Sequence, residues 1–181
     1  MQKSIQMAKH SLKYILIFLS TVIVLTGMLV LAAKIPQSSI KDNVRESAEY
    51  LCQGELFGMV IEGVKGSEID RHTDSILLAI AYQYDSEHPL VSIMWSSYYY
   101  TRFQNENENL LEAVNDGYEP NQQYLRYWHG SNAFVRPLLM VFNLKQIYIL
   151  NGIILIILVI WLMAVLIRNK AYVPAKERKR R

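Results

Sequence analysis

The densest grouping of side chains able to do chemistry is the run Gln123-Tyr124-Leu125-Arg126-Tyr127-Trp128-His129-Gly130, followed shortly by Arg136-Pro137-Leu138-Leu139. A guanidinium pairs bidentately with phosphate, and an imidazole exchanges protons near neutral pH. The run lies just before a long apolar stretch. Arg126, Trp128, His129 and Arg136 therefore read as contacts to a membrane interface or to a lipid phosphate. One reading is an anchor, because Trp and Tyr settle at the headgroup level. The other has Arg126 and His129 facing a phosphate-bearing lipid substrate.

Elsewhere the candidates are sparser. Asp70, His72 and Asp74 are spaced by two, as in an acid/base or metal cluster, but equally as at a helix start, where carboxylates favour the positive dipole end. Asp74 stands as a weak catalytic candidate. His88, between Glu87 and Pro89, reads as a turn, and Glu106, Glu108 and Glu112 read as a solvated helix face. With no HxxxH, no paired cysteines, no nucleophile elbow and no phosphate loop, neither a metal nor a cofactor is expected. Cys52 is the lone cysteine, so no internal disulfide is possible, and it reads as a buried apolar side chain.

What must position these groups follows from hydropathy. Residues 14–33 and 147–167 carry no charge. At about 1.5 Å per residue each makes a helix of roughly 30 Å, enough to cross a bilayer's hydrocarbon core. The first run exceeds a cleavable signal's apolar region and has Leu31 where a small residue would sit, so an uncleaved signal anchor is expected. Lys3, Lys9 and Lys13 precede it. Arg168, Lys170, Lys176, Arg178, Lys179, Arg180 and Arg181 follow the second run, while acidic residues outnumber basic ones between the two. Both termini, residues 1–13 and 168–181, are expected in the cytoplasm, with residues 34–146 outside. The net charge of +3 sums two basic tails and one acidic domain, so it argues for membrane lipids rather than nucleic acid as a partner. Asn151 is the one strongly polar residue in the two runs and neither holds GxxxG, so no ion path is expected and helix pairing is unspecified.

The intervening domain reads as mainly helical. Ile40, Val44, Ala48 and Leu51 recur at helical spacing, giving an amphipathic helix over about 38–52 with a cap at 37–39. Residues 54–66 are glycine-punctuated and read as irregular or a short hairpin. A core helix is expected over 70–85, capped by Asp70 or Thr73, and another over 89–101 with Pro89 at its first position. Residues 105–115 make a polar-started helix stopped by Gly117, and 121–130 and 131–143 lead to the second run, with Pro137 limiting helicity.

The segments Ile35-Pro36-Gln37-Ser38-Ser39-Ile40 with Asn43 and Ser47, then Thr73-Asp74-Ser75 with Ile80-Ala81-Tyr82, then Arg126 to Gly130, together resemble the amino-terminal portion of an uncharacterised group of multi-spanning membrane proteins of Gram-positive bacteria. The resemblance covers nearly the whole chain up to Val173. The layout of that group is similar to membrane glycosyltransferases of the GT-C type, which use polyprenyl-phosphate sugars. That likeness implies Asp74 as the acidic residue and Arg126 as the phosphate contact, with Glu46 and Glu49 lying nearer the first span. Members of the group continue through further spans, whereas this sequence ends at Lys-Glu-Arg-Lys-Arg-Arg. The resemblance thus implies a shortened form, not competent for transfer alone. The residues themselves favour a non-enzymatic membrane protein that pairs with another membrane protein or with itself.

Overall fold

The computed structural model describes residues 2–169, with side chains from residue 10 onward; the basic tail at 170–181 and the side chains of Lys3 and Lys9 lie outside the described residues. The fold is mainly α-helical. Two of its helices are long and apolar enough to cross a membrane and flank a helical region. The chain forms two compact units, Met1–Leu144 and Lys145–Arg181.

Helix α1, Gln2–Ala33, has its uncharged stretch within His10–Ala33. From Leu12 to Val24 its large apolar side chains are exposed, and Thr21 returns its hydroxyl to the Ile17 carbonyl at 2.9 Å. The last turns differ: Leu29, Ala32 and Ala33 are buried, because the domain is built onto this end. In the second unit, α7 (Leu144–Arg168) is apolar on every side, as a lipid-facing helix is.

After Pro36, a 3-10 turn at Gln37–Ser39 leads into α2, Lys41–Cys52. The expected polar cap is absent: the residue before α2 is Ile40, wholly buried, and no side chain caps the helix. Val44, Ala48 and Leu51 form the buried stripe that the spacing predicts. Residues 54–69 make a loose hairpin, with one antiparallel bridge between Met59 and Glu68 and backbone bonds from Val60 to Ser67 and from Ile69 to Gly58.

Helix α3, Arg71–Tyr82, is the core helix. Asp70 caps it, accepting from the Thr73 amide at 2.9 Å and the Thr73 hydroxyl at 2.6 Å. Helix α4 covers only Pro89–Trp95, shorter than the spacing suggests. Ser96 ends it in the left-handed region (φ 46°), and Ser97–Tyr98 becomes strand β1, pairing antiparallel with β2, Gln122–Gln123. The tyrosine run at 98–100 is thus extended, which lets Tyr98 turn into the core. Helix α5, Glu106–Asp116, has a full capping box between Asn105 and Glu108 and stops at Gly117 (φ 71°). Helix α6, Asn132–Leu138, takes Pro137 into its last turn.

Helices α2, α3 and α5 pack on one another, and α4 and α6 pack against α1. Buried polar side chains set the register. Asn107 of α5 donates to the Leu51 carbonyl at the end of α2 (2.9 Å) and accepts from Ser75 of α3 (2.6 Å). Asn43 donates to the Leu139 carbonyl (2.9 Å), and the Ser47 hydroxyl accepts the Leu144 amide (2.8 Å). Asn109 bonds both polar groups of Thr101's backbone at 3.1 Å.

Arg136 corrects the sequence expectation most strongly. It is wholly buried and faces no interface. Its guanidinium donates to the carbonyls of Ala81, of Ile35 (2.5 Å) and of Tyr84 (3.2 Å), and lies 5.5 Å from the Tyr84 ring centre. Replacing it with leucine leaves three buried carbonyls without their donor, at a cost of about 3 kcal/mol. We expect Arg136→Leu to lower the melting temperature in detergent well below wild type. Arg136→Lys, a single-point donor, should fall between the two. Equal melting of the leucine variant and wild type would show the contact to be energetically idle.

Candidate membrane-interface site

Residues 124–130 owe their position to local bonds. The Tyr124 amide donates to the Ser96 carbonyl at 3.2 Å, just beyond the β1–β2 pair, which brings the segment beside the end of α4. Asn121 holds the same place from below, bonding both polar backbone groups of Tyr100 at 2.9 and 3.0 Å. The aromatics then pack by edge and tilt: Tyr124 lies 6.3 Å from Tyr98, 6.1 Å from Tyr127 and 5.3 Å from His129 between ring centres. Trp128 packs over Gly130, where a Cβ would come 2.5 Å from the indole ring and push it aside.

Tyr124 and Tyr127 divide two clefts. The larger, about 300 Å³, runs between Thr26 of α1, Ile93 and Met94 of α4, and the segment from Tyr124 to Trp128. The smaller, about 200 Å³, lies between Thr73, Ile76 and Leu77 of α3 and Tyr124, Tyr127, His129 and Ser131. Arg126 is exposed at the larger cleft, its guanidinium 5.2 Å from the Tyr127 ring centre. Leu125, Tyr127 and Trp128 around it are also largely exposed.

The sequence candidates are therefore only partly brought together. Arg126 and Trp128 share the larger cleft, His129 lines the smaller, and Arg136 is buried in the core. Asp74, in the first turn of α3, lines neither cleft. Among the described residues no group of three His, Cys, Asp or Glu side chains converges.

Two acidic side chains are less solvated than expected. Glu106 pairs with His72 at 3.2 Å while Phe57 stacks on that imidazole, and Glu112 accepts from the Tyr99 hydroxyl at 3.4 Å. Cys52 corrects its expectation too: it is exposed at the end of α2. Partial desolvation and the nearby Glu108 and Glu49 still raise its thiol pKa. His88 sits in a turn as expected, its Nδ1 2.9 Å from Asp85. The buried ties of Asn107 and Asn109 are not marked in the sequence, where an amide in a helix reads as part of a polar face.

Burial holds the His129 imidazole below its ordinary value, although the Tyr124 carbonyl, 3.3 Å from Nε2, pulls the other way. Nε2–H donates and the ring is neutral at pH 7. In the unfolded chain histidine takes up its proton below about pH 6.5. The depressed folded value means that this contribution is complete above that pH and is lost as pH falls through the folded value. Melting temperature should thus drop more steeply on acidification from about pH 7 to pH 5 in wild type than in His129→Gln. Parallel pH curves would remove His129 from the account.

No family model matches the chain, and neither a curated protein nor a solved structure matches it.

Proposed function

We propose that the chain is a non-catalytic two-pass membrane protein whose termini are cytoplasmic and whose residues 34–146 form an extracytoplasmic interaction domain. The topology rests on the charge distribution: basic residues flank the two apolar helices, and acidic residues dominate between them.

The observation that carries the interaction role is the hairpin at 54–69. Phe57, Met59, Val60, Ile61 and Val64 are each about half exposed or more, an apolar tip on a domain that buries its other core positions well. It caps the α3 end opposite the Arg136 contacts, about 18 Å away along the helix. A contiguous apolar surface there fits a protein partner, either another membrane protein or a second copy. A transferase site gains no such support, since Asp74 shares neither cleft with Arg126 or His129.

Exposed Cys52 is a native reporter of topology. A membrane-impermeant maleimide should label it in intact cells but not label a cysteine placed at Lys176 in a Cys52→Ser background. The reverse pattern would invert the topology. For the interaction, a photo-crosslinking amino acid at Val60 should give a discrete adduct in living cells that Ile61→Asp abolishes, while one at Glu119 gives none. A bare Val60 position, with full expression, would end the interaction reading.

A further inference from the structure

We propose that α4, the 124–128 segment and α6 form a collar set into the leaflet on the domain's side of the membrane, and that the cleft between this collar and α1 takes the glycerol-phosphate region of a phospholipid, with Arg126 on the phosphate. The proposal rests on the two-pass reading above and adds a ligand to its domain.

The length of α1 forces the issue. Counted from Lys13, the roughly 20 residues needed to cross the hydrocarbon core end near Ala33. Yet the domain covers α1 from well before that point: Thr26 lines the cleft and Leu29 is 1% exposed. Seven residues separate Thr26 from Ala33, about 10 Å along the helix. A domain resting on top of the bilayer does not reach that depth. The elements wrapped around the last turns of α1 must enter the leaflet.

Those elements are chemically suited to it. Met94 and Trp95 on α4, Leu125 and Trp128 on the loop, and Phe134 on α6 are each more than half exposed. None of the chain's 16 acidic residues falls within 88–96 or 124–143, although the rest of the domain is rich in them. Absence of carboxylate is what an anionic headgroup layer requires of a surface buried in it, and Trp, Tyr and Arg are the side chains that hold that level. Helix α4 carries Pro89, which has no N–H, at its first position, and the backbone groups that its short ends leave over sit, with the loop's, at the headgroup level. The loop's irregular backbone belongs at the wet headgroup level, with its apolar side chains reaching down. The stacked, exposed guanidinium of Arg126 is then at phosphate height.

The test uses the full chain in vesicles, with its three tryptophans separated by Trp→Phe changes. One variant keeps Trp128 (Trp95→Phe with Trp161→Phe), one keeps Trp95, and one keeps Trp161 of α7 as the control for insertion. Phosphatidylcholine brominated high on its acyl chains should quench Trp128 and Trp95 about twofold or more, and iodide should barely reach them. Adding phosphatidylglycerol should strengthen quenching at Trp128, and Arg126→Gln should abolish that increment. Inorganic phosphate should have no such effect. If Trp161 is quenched while Trp95 and Trp128 stay open to iodide, the collar is wrong and that face is free for a protein. If Trp161 is itself unquenched, the two-pass reading fails and the collar with it. An anionic-lipid increment that survives Arg126→Gln, or one reproduced by inorganic phosphate, overturns the headgroup assignment.

Discussion

Arg136 carries its charge to a place from which water is excluded, and burial there lowers its pKa to about 10. A guanidinium held in that way is tolerated only where acceptors surround it, and here they are main-chain carbonyls. Ile35 lies two residues past the end of the first apolar helix, Ala81 in the last turn of the core helix and Tyr84 two residues past it, and Arg136 itself sits on the short helix before the second apolar one. The carbonyls at a helix C-terminus lack intrahelical donors, so a cation there both satisfies orphan acceptors and answers the negative end of the dipole. One side chain thus locks the helical domain to the end of α1, and the orientation of every other surface follows from that lock.

A second tier of polar ties fixes the register of this domain, whose single cysteine can form no internal disulfide. Asn107 joins three helices through one amide, and Asn43 and Ser47 hold α2 against the approach to α7. Each replaces the loosely directional grip of apolar packing with a fixed register. Ile35, Asn43, Ser47, Ser75 and Ala81 all serve as donors or acceptors in these contacts or in those of Arg136.

Two groups of exposed apolar side chains stand out on the domain. On α4, the 124–128 segment and α6 the exposed side chains are mainly aromatic or aliphatic, with Asp85 and Glu87 just before α4; around the hairpin they are aliphatic and Phe57, bordered by Glu55, Glu62 and Glu68.

Fold class was legible in the residues themselves. Uninterrupted apolar runs, helical spacing around Val44 and around Ile76 to Tyr82, and the stops at Pro36 and Gly117 are local signals, and each element formed close to where they place it. The tyrosine run at 98–100 was not legible, because its conformation is set by pairing with residues 122–123 and by the left-handed Ser96, not by propensity. Of the site, the sequence picked out Arg126, Trp128, His129 and Arg136 as one cluster, for they share chemistry and proximity in the chain. Tertiary structure parted them. Arg136 finds acceptors 55 and 101 residues away and leaves the surface, Arg126 and Trp128 stay on it, and His129 turns into its own cleft. Hydrophobicity and charge belong to single residues and can be read along a line; whether a cation meets water, lipid or a carbonyl depends on which distant backbone arrives beside it.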